Sequence, residues 1–327
     1  MEIVQDIRRL LNNPLIKDDI SAVNEGLQAL AREAPRLLRP SLATLVEAPA
    51  KRLRAGLVII SGRFGKYDSN SHILAAEAIE AIHLASLIHD DIIDESPIRR
   101  GVPTINASHG AKSAIFAGDY MLARAVKLLS SVFSPRDLFH IGSIVEGLCN
   151  GEILQHELRY SPEITEELYL QWVRQKTSSL TALSCWAGAR LARLSPRLIS
   201  ALTDYGDSLG VAFQIADDLM DFLSSENETG KPVLNDIRQG VYSLPVIFAL
   251  DHGNGHELKE LLLEGRNTPE ALYAAVDMVE KSGGIQYAQD VARSYSEKAI
   301  EALQKLPGGP YKDILIDLAI ASCRRSS

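Results

Sequence analysis

Two groups of aspartates stand out by spacing: Asp90, Asp91 and Asp94, then Asp217, Asp218 and Asp221. On a helix, residues four apart share a face, so Asp90 lies one turn from Asp94 and Asp217 one turn from Asp221. Asp91 and Asp218 stand beside them. Three carboxylates this close repel one another, and their neighbours are apolar: Leu87, Ile88, Ile92 and Ile93 in one group, Ile215, Leu219 and Met220 in the other. Such clusters do not stabilise a core. A divalent cation removes the conflict, and an all-oxygen ligand set points to Mg2+ or Mn2+ rather than Zn2+. Mg2+ keeps several waters and bridges a few carboxylates to a phosphate-bearing ligand. One such motif would read as a solvated helix end. Two copies, both in apolar helices and both followed by basic polar loops, favour the metal.

Cations accompany the carboxylates. Arg99-Arg100 follows the first group and Lys231 the second, while Lys51-Arg52-Leu53-Arg54 and Lys176-Thr177 form two further basic sites. Arginine pairs with phosphate through two parallel hydrogen bonds, and lysine acts as a point charge. Together the two kinds of charge suit a diphosphate gripped from both sides. Lys176 and Lys231, each taken alone, fit ordinary surface charge equally well. His83 lies two turns before Asp90 and reads either as a satisfied core histidine or as a contact to a second diphosphate. His89 receives no chemistry.

These residues need long helices to hold them. Apolar residues recur at spacings of three and four, as in Leu74, Ala78, Ala81, Ala85, Ile88 and Ile92, which is the helical period. Aromatics make up only 6% of the chain, which favours helix over sheet. The pattern predicts helices over 16–34, 52–64, 71–94, 109–132, 136–160, 165–193, 197–224, 243–252, 269–282, 285–304 and 311–323, with little or no sheet. The fold class is all-α. No linker divides the chain, so 1–327 reads as one domain. The net charge of −8 argues against a nucleic-acid surface. Cys149, Cys185 and Cys323 suggest neither disulfides nor zinc, and fit a reduced, cytoplasmic protein. The charged N-terminus is no signal peptide, and no apolar run approaches the roughly 20 residues of a membrane span, so no stable membrane insertion is expected.

The residues from Glu80 through His83 to Asp94, then Arg99-Arg100-Gly101 and Pro103-Thr104, resemble the first aspartate-rich region of trans-type polyprenyl diphosphate synthases. Phe213-Gln214-Ile215-Ala216-Asp217-Asp218-Leu219-Met220-Asp221, then Gly230-Lys231-Pro232, resembles the second. Gly118-Asp119-Tyr120, Gly151-Glu152 with Gln155, and Lys176-Thr177 are similar to further motifs of that family. The resemblance implies a single helical bundle around a deep cavity, and three Mg2+ ions, for which Mn2+ can substitute. It places an allylic diphosphate, such as farnesyl or geranylgeranyl diphosphate, between the two clusters. Arg99, Gln155, Lys176, Thr177, Gln214 and Lys231 would contact it. Lys51, Arg54, His83 and Arg100 would hold isopentenyl diphosphate. A homodimer is implied, or else the catalytic half of a two-component enzyme. Four positions depart from the family pattern: Pro49-Ala50 replace two glycines, Ala55 replaces a proline, and Val241 replaces a lysine.

The implied reaction ionises the allylic C–O bond and lets the double bond of isopentenyl diphosphate attack the cation, with loss of a proton. A shorter-chain synthase and a class I terpene cyclase share parts of this signature. The cyclase pattern, however, expects Ser or Thr where Asp221 stands and Glu where Ser225 stands. The growing tail is expected to run back along the helix that carries Asp90, past Ser86 and Ala85 and then Ile82. One helical turn, about 5.4 Å, is comparable to one isoprene unit, and the small residues leave room for about six to eight units, a C30–C40 product. On this reading Ala85→Phe shortens the product, as sizing by chromatography would detect, and an unchanged length would rule out the tail path.

Overall fold

The computed structural model describes residues 7, 9–223, 235–264 and 268–323. They divide into two compact units, one of residues 7–142 with Leu183–Thr203, the other of Ser143–Ala182 with 204–323.

In the first unit the chain runs α1 (Lys17–Arg32), α2 (Arg39–Glu47), α3 (Leu53–Gly62) and α4 (Ser69–Ile93). A short hairpin, β1 (Ile98–Arg99) and β2 (Val102–Pro103), then leads to α5 (Ile105–Val132). α6 (Pro135–Glu157) begins in this unit. Helix α4 packs on α1, α3 and α5. Its alanines at 75, 76, 78, 81 and 85 are all fully buried, and small side chains of this kind let helices approach closely. Asp68 caps α4 by accepting from the Ser71 N–H at 2.9 Å, and Thr104 caps α5 by accepting from the Ala107 N–H at 3.0 Å. Gly110, with φ 78°, breaks the first turn of α5 from the rest.

In the second unit α7 (Glu166–Val173) passes through a π turn (Arg174–Ser178) into α8 (Ser179–Leu191), whose residues from Leu183 belong to the first unit. α9 (Pro196–Leu223) likewise begins in the first unit and enters the second at Asp204; it is followed there by α10 (Asn235–Arg238), α11 (Leu244–Asp251), α12 (Gly255–Glu264), α13 (Pro269–Ser282), α14 (Gly284–Ala302) and α15 (Pro310–Cys323). Helix α11 is its apolar hub, with Leu244, Val246, Ile247 and Ala249 buried among Tyr169, Trp172, Ile215, Val279 and Ala292.

The all-α expectation holds, the only sheet among the described residues being the two-residue hairpin. Helices α2, α10 and α12 were not anticipated. In α2, Pro40 sits in the first turn, where a missing N–H costs nothing, and the prolines at 35 and 40 mimic a loop in the sequence. α4 corrects the reading of hydropathy: it is long and apolar enough to cross a membrane, but 67% of the apolar stretch is buried within the protein.

That burial includes Glu77, which is 7% exposed and lies against Gly26 of α1 so closely that a Cβ there would come within 1.9 Å of its Oε1. Burial pushes the Glu77 carboxyl up to about 7. The folded state therefore binds more protons than the unfolded state between the ordinary value of 4.5 and 7, so stability falls as pH rises through that window. Glu77→Gln is expected to flatten this dependence and to raise Tm at pH 8 by about 4 °C or more, with little change at pH 5. Thermal melts at the two pH values check it, and equal shifts at both would refute the assignment.

Candidate active site

The first aspartate group closes α4, with Asp94 as its C-cap and the Asp94 N–H donating to the Asp90 carbonyl at 2.8 Å. Asp90 and Asp94 are half-buried, one turn apart. Asp91 differs: it is 3% exposed and accepts from Arg99 Nε at 2.5 Å. The hairpin makes this contact possible. Its two-residue turn, Arg100-Gly101, has φ 53° and 81° and joins Arg99 paired to Val102, the positive-φ geometry that suits tight hairpins. The hairpin is pinned back to the end of α4. Thr104 Oγ1 donates to the Ser96 carbonyl at 2.7 Å, and Asn106 Nδ2 to the Asp91 carbonyl at 3.4 Å.

Two turns up α4, His83 is half-buried, and its imidazole is held well below its ordinary 6.5 by burial and then by the charges of Arg54, Arg100, Arg99 and Arg52. The charges of four guanidinium groups bear on one histidine. The structure thus gathers Arg54, His83 and Arg100, three residues expected to hold one diphosphate, with Arg99, expected to contact the other. Burial lowers Arg54 to about 10, Glu80 opposing the shift and Arg100 adding to it. Among the described residues, Arg54 Nε has no hydrogen-bond partner. A buried cationic donor without an acceptor fits an anion. Lys51 is half-buried at the mouth of the same loop.

The second group lies on α9. Asp217 is exposed and Asp221 half-buried, and Asp221 Oδ2 accepts from the Asp236 N–H of α10 at 2.9 Å. Asp218 is 6% exposed and accepts from Tyr169 Oη at 2.6 Å and Gln214 Nε2 at 2.8 Å. Burial raises Asp218 to about 7, with Asp217 and Asp221 adding repulsion and the two hydrogen bonds opposing it. Gln214 Oε1 in turn accepts from Thr177 Oγ1 at 2.8 Å, while Lys176 Nζ reaches Gln155 Oε1 at 2.6 Å and Glu152 Oε2 at 2.5 Å. Gln155, Lys176, Thr177 and Gln214 thus form two bonded pairs.

Lys176 and Thr177 belong to the π turn, in which the Ser179 N–H donates to the Arg174 carbonyl five residues back. The wider turn changes the angle between successive side chains, as π turns at functional sites often do. Gly151 of α6 rests directly on it, for a Cβ there would come within 2.6 Å of the Lys176 N. Lys231 falls outside the described residues.

The carboxylate clusters suit Mg2+ in their chemistry, being all oxygen. Among the described residues no three His, Cys, Asp or Glu side chains converge into a ready cation cage. Mg2+ takes one or two carboxylates and completes its shell with water and substrate phosphate.

Of the three positions expected to set product length, Ser86 is half-buried and donates its hydroxyl to the His83 carbonyl at 2.9 Å. Ile82 is 4% exposed and Ala85 has no accessible surface. Ala85 is packed against its neighbours, so Ser86 is the more accessible of the three. Tyr169, Glu80, Arg52 and Asp236 were not singled out as site residues. Tyr169 and Asp236 lie 49 and 15 residues from the carboxylates they bond, and only the fold brings them close. Glu80 stands one turn before His83 in a quoted motif, a spacing that could have flagged it.

The chain matches the family model "Polyprenyl synthetase" over residues 35–279. It is 34% identical over 317 residues to heptaprenyl diphosphate synthase component 2 of Bacillus subtilis, covering 97% of this chain and 90% of that one. Two crystal structures superpose closely. A decaprenyl diphosphate synthase from Rhodobacter capsulatus gives a TM-score of 0.91 at 32% identity, covering 98% of this chain and 99% of that one. A geranylgeranyl pyrophosphate synthase from Lactobacillus brevis gives 0.90 at 32% identity, covering 97% and 99%. A match over three-quarters of the chain, carried through both aspartate groups, places the protein in the polyprenyl synthetase family as a trans-prenyltransferase.

Proposed function

We propose that this chain joins an allylic diphosphate to successive isopentenyl diphosphates in a Mg2+-dependent head-to-tail condensation, building a medium to long all-trans polyprenyl diphosphate of about C30–C40. The observation that carries this reading is that the charges of Arg54, Arg100, Arg99 and Arg52 all bear on His83, on the helix that ends in half-buried Asp90 and Asp94, while the buried Arg54 Nε has no hydrogen-bond partner among the described residues. Cations grouped in this way, on a protein of net charge −8, call for a strongly anionic ligand. The continuous family match supports one synthase domain over 1–327. The free thiols of Cys149, Cys185 and Cys323 support a cytoplasmic setting.

The residues divide by role. Asp90, Asp94, Asp217 and Asp221 are the carboxylates assigned to the cations, because they keep solvent contact while Asp91 and Asp218 are buried. Mg2+ would stabilise the negative charge that grows on the departing diphosphate. Arg99, Gln155, Lys176, Thr177, Gln214 and Lys231 are assigned to the allylic diphosphate. Lys51, Arg54, His83 and Arg100 are assigned to isopentenyl diphosphate. The allylic C–O bond breaks and diphosphate leaves with the electron pair. The double bond of isopentenyl diphosphate, held close by its own diphosphate contacts, forms the new bond to C1. The resulting cation gives a proton to the released diphosphate, and a trans double bond remains. No nucleophilic side chain takes part, and apolar walls keep water from the cation.

The name of the B. subtilis relative, a component 2, supports a second reading of assembly, in which this chain is the catalytic half of a pair rather than a homodimer. Purified alone, the chain is expected to convert farnesyl or geranylgeranyl diphosphate and labelled isopentenyl diphosphate into one longer product when Mg2+ is present. Activity only after a second protein is added would establish the pair. Consumption of the allylic diphosphate without isopentenyl diphosphate would replace condensation by cyclisation.

Two sets of variants test the assignments. Asp90→Ala or Asp217→Ala is expected to lower kcat by about 10²–10³ or more with Tm retained, and near-normal turnover in either would sink the metal assignment. Ser86→Phe is expected to shorten the product while activity persists. Ala85→Phe, overpacking a filled site, is expected to cost about 1–3 kcal/mol of stability. A Ser86→Phe enzyme making full-length product would show that the tail does not pass this residue.

A further inference from the structure

The loop that carries the basic cluster makes a turn that glycine would normally take, two residues beyond Pro49-Ala50. The left-handed residue is Arg52, with φ 53° and ψ 36°, a conformation that a side chain disfavours. Arg52 is 7% exposed, and its guanidinium bonds protein through Nε and Nη2, while Nη1 makes an ion pair but, among the described residues, no hydrogen bond. Nε donates to Asn24 Oδ1 of α1 at 2.8 Å, Nη2 donates to the Val46 carbonyl at the end of α2 at 2.8 Å, and Nη1 lies 3.7 Å from Glu80 Oε2 of α4. Glu80 is 2% exposed, and its other oxygen accepts from the Ala55 N–H at 3.1 Å.

That last bond is open only because residue 55 departs from the family pattern, since a proline has no N–H to give. Ala55 lies in the first turn of α3, where backbone N–H groups have no partner within the helix and a carboxylate is favoured. Glu80 therefore grips the start of α3 directly and the preceding residue through Arg52. Arg54 lies between the two grips, with its Nε left without a partner among the described residues.

We propose that Arg52 and Glu80 are positioning residues for the isopentenyl diphosphate site. They form a side-chain latch that fixes the loop bearing Lys51 and Arg54. Neither need touch the substrate. The latch rests on the substrate assignment made above, and it goes further by separating the four neighbouring cations into three that bind and one that aims them.

The test is steady-state kinetics with each substrate varied in turn. Arg52→Gly accepts the left-handed backbone freely and removes all three anchors. It is expected to raise KM for isopentenyl diphosphate about tenfold, the effect of losing charge-assisted contacts, with KM for the allylic diphosphate within about twofold. Glu80→Gln keeps the shape and weakens the grip, and is expected to raise the same KM about threefold. An unchanged KM for isopentenyl diphosphate in both variants, or an equal rise for both substrates, would overturn the latch. Should Arg52→Gly fail to fold, Glu80→Gln decides alone by the same split. A wild-type chain that never consumes isopentenyl diphosphate would instead overturn the substrate assignment.

Discussion

Repulsion among carboxylates in one helical turn is the constraint around which both aspartate groups are built. Each helix meets it alike, by burying the middle aspartate against a donor. Asp91 takes Arg99, delivered by the hairpin, and Asp218 takes Tyr169 and Gln214. The outer pair in each group keeps solvent contact. The fold thus buries one acid of each group and leaves two, in contact with solvent, at the spacing of a helical turn.

The same economy appears among the cations. The charges of four arginines bear on one histidine, which burial first and those charges second hold below its ordinary value. Glu80 is the counter-charge that makes the crowding tolerable, and it sits on the helix that carries Asp90. α4 is thus the spine of its unit: it carries the acids, His83 and the buried anchor of the basic loop. This explains why a helix so apolar has Glu77 and Glu80 among its buried residues.

Much of this was legible in the residues. The period of three and four, the spacing of the aspartates and the basic pairs after them identified the helices, the clusters and most of the cations. What was hidden depended on contacts across long stretches of chain, as with Tyr169 and Asp218, or on departures from regular helix. Nothing in Arg174-Gln175-Lys176-Thr177-Ser178 announces a π turn, because its composition suits an ordinary helix. The short helix α2 was masked by prolines that act as openers in the structure. Arg52 was no more than one member of a basic run, because its charge is visible in sequence and its left-handed backbone is not.

The π turn has a meaning for the history of the chain. It holds one residue more than an α-helical turn, so losing a residue there would restore an uninterrupted helix with a full set of backbone bonds. Such a deletion would favour the local backbone, yet it would swing every earlier side chain of the helix by about 100° relative to the later ones. Lys176 and Thr177 would part from Gln155 and Gln214. The extra residue is thus a standing insertion that backbone energetics would discard, and its retention marks where the chemistry, rather than the fold, sets the length of the polypeptide.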